Sequence, residues 1–216
     1  MPLKNKDFIE IEFVARIKGT NQIFDLTSEE IAKKEKIHYS TATYGPTIIC
    51  LGENQVIKGL DQSLIGKEPK KEYKIEVSAE NAFGKKDPKL LKLIPLRIFK
   101  KQNIQPYPGL QVNIDNLIGT IRTVSSGRSI VDFNHPLAGH DVVYEIKINK
   151  LVTNDTEKVN SILKFFIKNP KSSIKENKLT IDSEIPKPLQ EILEKKIKEL
   201  IPKIKEIKFA KTTNKT

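Results

Sequence analysis

The first strongly patterned stretch of the chain alternates apolar and polar positions with a period of two. Every odd position from Ile9 to Ile17 is apolar, whereas Glu10, Glu12 and Arg16 stand between them. This alternation predicts a β-strand with one buried face. Shorter apolar runs predict further strands at 48–51, 73–77 and 142–148.

Two short stretches change to helical spacing. Residues 28–36 predict a helix, because Ser28 is a residue type that caps helix N-termini. Leu60 and Leu64 stand four residues apart, so they share one face of a helix that opens at Gly59. Antiparallel strands with one short helix packed on them predict an α+β half-barrel.

A region of different composition interrupts this pattern at 87–132. Prolines punctuate its first half, and three short apolar runs predict strands at 110–114, 119–124 and 129–131. A unit of this size can bury little core of its own. We therefore expect a small β-rich insert domain whose apolar segments 93–96 and 98–99 stay under-buried.

The segment 153–216 predicts a small α/β C-terminal domain. The triplet Asn154 to Thr156 is typical of a linker, 159–166 has helical spacing, and 173–181 and 207–209 predict strands. Between those strands runs an amphipathic helix with a wide apolar stripe: Leu189, Ile192, Leu193, Ile197, Leu200 and Ile201. We expect this stripe to be only partly covered within its domain and to support a homodimer. The polar tail 211–216 is expected to fray.

Composition excludes some function classes. The chain has 216 residues, 30% charged and 38% hydrophobic, and no apolar run approaches the ~18 residues of a membrane span. The N-terminus lacks the apolar core of a signal peptide. The single cysteine, Cys50, excludes an internal disulfide, so a reducing cytoplasm is the expected location. No membrane association is expected.

The net charge of +11 bears on partners. Only four of the 38 basic residues are arginine, so lysine supplies the excess. Lysine is a solvated point charge, whereas nucleic-acid readers favour the arginine fork. The surplus therefore predicts mainly a solvated surface, although association with ribosomal RNA stays open.

The residues of several enzyme chemistries are missing. There are three histidines, none in a metal-ligand spacing, and there is no glycine-rich phosphate loop. Cys50 lies between Ile49 and Leu51, as a small buried hydrophobe does, rather than as a nucleophile. We expect no metal and no cofactor.

Several motifs together resemble one family. Phe24-Asp25 ends a strand, Val56-Ile57 precedes Gly59-Leu60-Asp61, and Asn81-Ala-Phe-Gly84 and Val143-Tyr-Glu-Ile146 follow in order. Over residues 5–152 these resemble the FKBP peptidyl-prolyl isomerases, and Asn134-His-Pro-Leu-Ala-Gly139 resembles the return segment of SlyD-like members. Likeness to long archaeal members implies an FKBP domain at 1–86 and 133–152, an insert-in-flap chaperone domain at 87–132 and a C-terminal domain at 153–216.

The resemblance also implies site residues and partners. Asp25, Phe83 and Tyr144 would be catalytic, and Phe13, Phe24, Val56, Ile57 and Leu60 would bind substrate; Ile49 either lines the pocket or is simply core. The partners would be unfolded or nascent polypeptides with X-Pro bonds. Leucine stands at position 60 where macrolide-binding members have tryptophan, so macrolide affinity is expected to be weak. A holdase chaperone with little isomerase activity and a ribosome- or RNA-binding module are the alternatives.

Overall fold

The computed structural model describes residues 1–183 and 185–209, so the predicted frayed tail lies outside the described residues. The strands and helices follow the sequence pattern closely at the start of the chain. In chain order they are β1 Phe8–Ile17, β2 Ile23–Leu26, α1 Glu29–Lys34, β3 Thr47–Cys50, α2 Lys58–Leu64, β4 Lys71–Val77, β5 Leu91–Pro95, α3 Leu96–Lys101, β6 Gln111–Ile114, β7 Leu117–Ser125, β8 Arg128–Asp132, β9 Val142–Leu151, α4 Asp155–Lys164, β10 Ser172–Lys175, β11 Lys178–Ile181, α5 Lys187–Leu200 and β12 Glu206–Phe209.

The chain forms two compact units. The first unit contains residues 1–76 and 143–216, and the second unit contains 77–142. The predicted insert, 87–132, lies within the second unit, and the predicted third domain, 153–216, belongs to the first. The α+β class with antiparallel sheets and few helices is as predicted.

The principal sheet of the first unit has the strand order β2-β1-β9-β4, and β3 also pairs with β1. One face of this sheet is buried: Ile9, Ile11, Ile146 and Ile148 on the strands, like Leu60 and Leu64 on α2, are at most 2% exposed. The predicted sharing of one α2 face by the two leucines is therefore confirmed.

The C-terminal segment, residues 153–209, does not have a core to itself. Its buried side chains, among them Leu193 and Ile197, form one cluster with Phe8, Cys50 and Val152. The residues expected to be a linker instead begin α4, whose first turn is capped by Asn154; the side chain of Asn154 accepts from the Thr156 and Glu157 N–H groups. Leu193, Ile197, Leu200 and Ile201 of the predicted stripe are buried in this cluster, whereas Ile192 is 58% exposed.

The small sheet of this segment has the order β10-β11-β12, with β11 and β12 parallel. The single strand expected at 173–181 is wrong, because residues 176 and 177 turn the chain. Glu176 and Asn177 have φ values of 48° and 64°, which suit a two-residue hairpin turn. β10 and β11 are therefore the two arms of a hairpin.

The second unit is built on a sheet of order β5-β8-β7-β6. It has a distinct core of Phe99, Val112, Ile114, Ile121 and Val131. The expectation that 98–99 would be under-buried is wrong for Phe99, which is 0% exposed, because α3 turns this ring onto the sheet. The expectation holds for Leu93, which is 52% exposed on β5.

Candidate active site

Three aromatic rings meet on the buried side of the principal sheet. Tyr144, on β9, has its ring centroid 5.6 Å from that of Phe13 on β1 and 6.0 Å from that of Phe24 on β2. The Phe24 contact is edge-to-face, a favourable geometry for aromatic pairs. Tyr144 is only 5% exposed, so it forms the buried back of this cluster.

A bulge in β2 brings Phe24 and Asp25 to the same site. Val14 and Ala15 pair with Leu26 and Asp25, but the next residue of β1, Arg16, pairs with Ile23. Phe24 is therefore the extra residue of the bulge. Successive strand residues normally point to opposite faces, and a bulge relaxes that rule.

The charge of Asp25 acts on the hydroxyl group of Tyr144. Apolar surroundings raise the pKa of Asp25 above its usual range, although its side chain has solvent access, and a hydrogen bond from the Leu26 backbone partly offsets this. Burial raises the pKa of the Tyr144 hydroxyl, and the negative charge of Asp25 raises it further. The site thus holds a carboxylate at the rim of a largely apolar, low-dielectric cluster.

Thr27 fixes the strand that carries Phe13, and sequence reasoning missed it. The Phe13 N–H donates to the Thr27 hydroxyl over 2.9 Å, and the Thr27 N–H donates to the Phe13 carbonyl over 3.0 Å. Thr27 is 7% exposed. Its neighbour Ser28 caps α1 as predicted, accepting from the Ile31 N–H. A threonine two residues after the Phe-Asp pair was the available signal.

The loop 51–57 carries two further predicted site residues, Val56 and Ile57. Its start is held by Asp61, which is 5% exposed and accepts from the Gly52 N–H over 3.0 Å at both carboxylate oxygens. Val56 and Ile57 are half-buried where the loop enters α2. Within the described residues nothing accepts from the Ile57 N–H. This donor is therefore available to a ligand.

Ile49 and Phe83 are the other two predicted residues. Ile49 is 2% exposed and pairs with Ile9 in the β1–β3 ladder, which is the position of a core residue. Phe83 lies in the second unit, half-buried, on the loop after β4. Its ring stacks on that of His135, with centroids 4.8 Å apart and planes at 4°. No role was predicted for His135, although its motif was recognised.

A cleft of about 760 Å³ lies elsewhere, on the polar face of the same sheet. Carboxylates and ammonium groups line it, including Glu12, Glu72 and Lys74, and neither Asp25 nor Leu60 contributes to its walls. Phe13 also lines this cleft, but Phe24 and Tyr144 do not. We therefore place the candidate site at Tyr144.

Other kinds of site are not found in the described chain. Across residues 1–183 and 185–209, no group of three His, Cys, Asp or Glu side chains is arranged to hold a metal ion. The described helices include none that is both long enough and apolar enough to span a membrane.

Comparison with known proteins agrees with this geometry. Residues 2–97 match the family model described as FKBP-type peptidyl-prolyl cis-trans isomerase. Residues 92–137 match a second model, described as FKBP26, IF domain, which overlaps the predicted insert. The two matches together run through most of the first 137 residues.

Individual relatives match between about half and three quarters of the chain. A short-type peptidyl-prolyl cis-trans isomerase of Methanocaldococcus jannaschii is 26% identical over 155 residues, covering 72% of this chain and 98% of that protein. The SlyD isomerase of Helicobacter pylori is 27% identical over 143 residues, 64% of this chain and 69% of that protein. A 16 kDa FKBP-type isomerase of Escherichia coli is 29% identical over 108 residues, 48% of this chain and 72% of that protein. The matched part of the chain therefore belongs to the FKBP-type peptidyl-prolyl cis-trans isomerase family, and SlyD-type members are among its relatives.

Proposed function

We propose that this enzyme isomerises X-Pro bonds in unfolded or nascent polypeptides, at the ring cluster around Tyr144, and that the insert captures those chains. One observation carries the catalytic part: the β2 bulge brings Phe24 and Asp25 beside the same buried tyrosine. This arrangement makes an apolar pocket with one carboxylate and one free backbone donor.

Such a pocket suits bond rotation. Amide resonance gives the bond a barrier of ~18–20 kcal/mol, and the planar form carries more charge separation than the twisted one. Removing water therefore disfavours the planar ground state more than the twisted state. A thousandfold acceleration requires only about 4 kcal/mol, so no acid, base, metal or covalent nucleophile has to be involved.

The residues have distinct roles in this proposal. Phe13, Phe24 and Tyr144 form apolar walls around the proline ring, and Leu60 forms the floor. The Ile57 N–H donates to a substrate carbonyl. Asp25 polarises the rim without transferring a proton, and Phe83 is included as a catalytic residue on the resemblance alone.

Substitution of Asp25 or Phe83 tests this pocket. We expect Asp25→Ala and Phe83→Ala each to lower kcat/KM on a proline tetrapeptide at least tenfold, which is about 1.4 kcal/mol. Far-UV circular dichroism should be unchanged. Glu145→Ala is the matched control, because Glu145 follows Tyr144 on β9 and faces the polar side of the sheet. Wild-type rates in both site variants would rule out the assignment.

The insert has the surface that client capture needs. Leu91 and Leu93 on β5 are 46% and 52% exposed, and Leu117 and Ile118 at the start of β7 are 51% and 69% exposed. β5 and β6 are the two edge strands of the sheet, so their outer backbone groups can pair with an extended chain. A client held there raises the effective concentration of its prolines.

Replacing residues 87–132 with a short loop tests the insert. Tetrapeptide isomerisation should remain largely intact, whereas catalysis of proline-limited refolding should fall steeply. The double variant Leu91→Ser and Leu93→Ser should also keep tetrapeptide isomerisation and lose refolding catalysis, but by a smaller factor. Lys92→Ser, at the residue between them, is its control. Equal losses on both substrates would mean that the insert builds the pocket rather than captures clients.

The alternative functions have separate tests. A holdase with little isomerase activity would suppress aggregation while leaving the tetrapeptide rate at the uncatalysed value. A ribosome- or RNA-binding role is favoured by the +11 charge. It would appear as RNA binding that weakens linearly on a logarithmic salt scale.

We also propose a cytoplasmic location and a homodimer through the C-terminal segment. Phe165, Phe166 and Ile192 remain 53%, 44% and 58% exposed there. Light scattering at high micromolar concentration should give a dimer for the whole protein and a monomer for Phe166→Ser with Ile192→Ser. A monomeric wild type would rule the dimer out.

A further inference from the structure

Phe13 lies at a gap in the strand pairing of the first unit. β3 pairs with the part of β1 from Phe8 to Ile11, whereas β2 pairs with the part from Val14 to Arg16. Phe13 falls between these two stretches and belongs to neither ladder. Its ring centroid is nevertheless 5.6 Å from that of Tyr144, inside the ring cluster. The residue that holds the Phe13 backbone at this gap therefore bears on where the ring stands.

Thr27, the residue directly after β2, bridges the gap with its side chain. In an antiparallel ladder, two hydrogen-bonded residues that face each other exchange both of their N–H···O bonds. The Thr27 N–H makes the first of these bonds, to the Phe13 carbonyl over 3.0 Å. For the second, the Phe13 N–H donates over 2.9 Å to the Thr27 hydroxyl and not to the Thr27 carbonyl. The side chain has therefore taken the place of its own residue's carbonyl in the ladder.

The Thr27 carbonyl is engaged elsewhere. It accepts from the Gly45 N–H over 2.8 Å, two residues before β3 begins. Gly45 has a φ value of 111°, in the region that favours glycine. Thr27 thus joins three segments, because its hydroxyl holds β1, its carbonyl holds the loop before β3, and its backbone continues β2.

Burial makes the hydroxyl hard to replace. Thr27 is 7% exposed, so water has little access to this position. Buried N–H groups are nearly always paired, because an unpaired one loses the hydrogen bonds that it made with water. Without the hydroxyl, either the Phe13 N–H stays unpaired or the Thr27 carbonyl turns back to it and releases Gly45. Both outcomes loosen the backbone that carries the Phe13 ring.

We propose that Thr27 is a positioning residue for the isomerase: its hydroxyl fixes the Phe13 backbone and so holds the Phe13 ring in place as a wall of the pocket. This inference rests on the function proposed above, in which the Phe13 ring contacts the proline of the substrate. It predicts that the hydroxyl of residue 27 matters for catalysis, whereas its methyl group does not.

Three variants separate these properties. Thr27→Val keeps the branched shape without the hydroxyl, and Thr27→Ser keeps the hydroxyl without the methyl group. Ser161→Ala is the control, because it removes another buried hydroxyl of the first unit, one that donates to the Lys158 carbonyl on α4. At a temperature below every unfolding transition, kcat/KM on a proline tetrapeptide should fall roughly three- to tenfold in Thr27→Val. Thr27→Ser and Ser161→Ala should retain the wild-type value.

A double-mutant cycle separates positioning from general destabilisation. In a Phe13→Ala background, Thr27→Val should cause no further loss of activity, because the ring that it positions is gone. An undiminished further loss in that background would overturn the proposal.

The single variants can overturn it as well. Wild-type activity in Thr27→Val, or an equal loss in Thr27→Ser or Ser161→Ala, would do so. A Thr27→Val protein that does not fold would do so too, because the hydroxyl would then support the whole fold rather than one ring. A wild type without tetrapeptide activity would instead refute the proposed function itself.

Discussion

The second unit and the C-terminal segment are of similar length, but they use their apolar residues in opposite ways. The second unit closes a core of its own around Phe99 and leaves leucines and isoleucines exposed along its strands. The C-terminal segment instead shares its core with Phe8, Cys50 and Val152 from the isomerase strands. The comparison teaches that one of these regions has a core of its own, whereas the other shares the core of the N-terminal strands.

Removing the C-terminal segment should have the largest effect. A protein ending at residue 152 exposes Phe8, Cys50 and Val152, each of which is at most 3% exposed in the whole chain. Burying a large apolar side chain contributes roughly 1.5–3 kcal/mol, so this loss is comparable with a typical total of 5–15 kcal/mol. We expect loss of cooperative thermal unfolding, measured by calorimetry.

The protein with 87–132 replaced by a short loop is the control for that truncation. It should retain a cooperative transition, because the shared core is untouched. A stable, cooperatively folding fragment 1–152 would show that the C-terminal segment is as separable as the insert.

Single core substitutions should distinguish the two regions more finely. Leu193→Ala should lower the free energy of unfolding by about 2–5 kcal/mol. It should also lower the temperature at which tetrapeptide activity is lost. Phe99→Ala should lower the stability of the second unit by about 3–5 kcal/mol. Tetrapeptide activity should nevertheless persist up to the temperature at which the wild type loses it. Activity followed against temperature checks both. If both variants lost activity at the same lowered temperature, the two regions would unfold together.

The ion pairs at the C-terminal junction should matter least. Lys196 and Glu53 are 3.1 Å apart with side chains 31% and 20% exposed, and Lys6 pairs with Glu199 at 2.9 Å. Partly exposed pairs of this kind are worth about 0.2–1 kcal/mol. Lys196→Gln should therefore lower the free energy of unfolding by less than about 1 kcal/mol. A loss well above 1 kcal/mol that salt abolishes would show that charge rather than apolar contact holds the junction.

Periodicity was sufficient for the elements that bury a single face. The alternation of β1 and the leucine pair of α2 each require only one buried face, and both appear as predicted. The edge strand β5 was missed, because Pro95 at its end is typical of a breaker, although an edge strand tolerates proline. The β10–β11 turn was missed because Glu176-Asn177 lacks the glycine that usually marks such turns.

The parts that needed tertiary information could not be predicted. Phe24 and Asp25 were recognised by resemblance, but alternation alone would have placed them on opposite faces of β2. Phe8 was the available signal for the C-terminal packing, since it shares its face of β1 with Glu10 and Glu12 yet is apolar. A buried phenylalanine on a polar face requires a cover, but the sequence does not say which segment supplies it.

The burial of Cys50 makes its chemical reactivity a measure of opening at this junction. Its thiol is 1% exposed, and desolvation, followed by the charge of Glu53, raises its pKa to about 12. The thiolate is the reactive form, so the burial of Cys50 and its raised pKa should both slow its reaction with alkylating reagents in the closed state. The rate of alkylation of this single cysteine therefore reports how often the C-terminal segment lifts away from the isomerase strands.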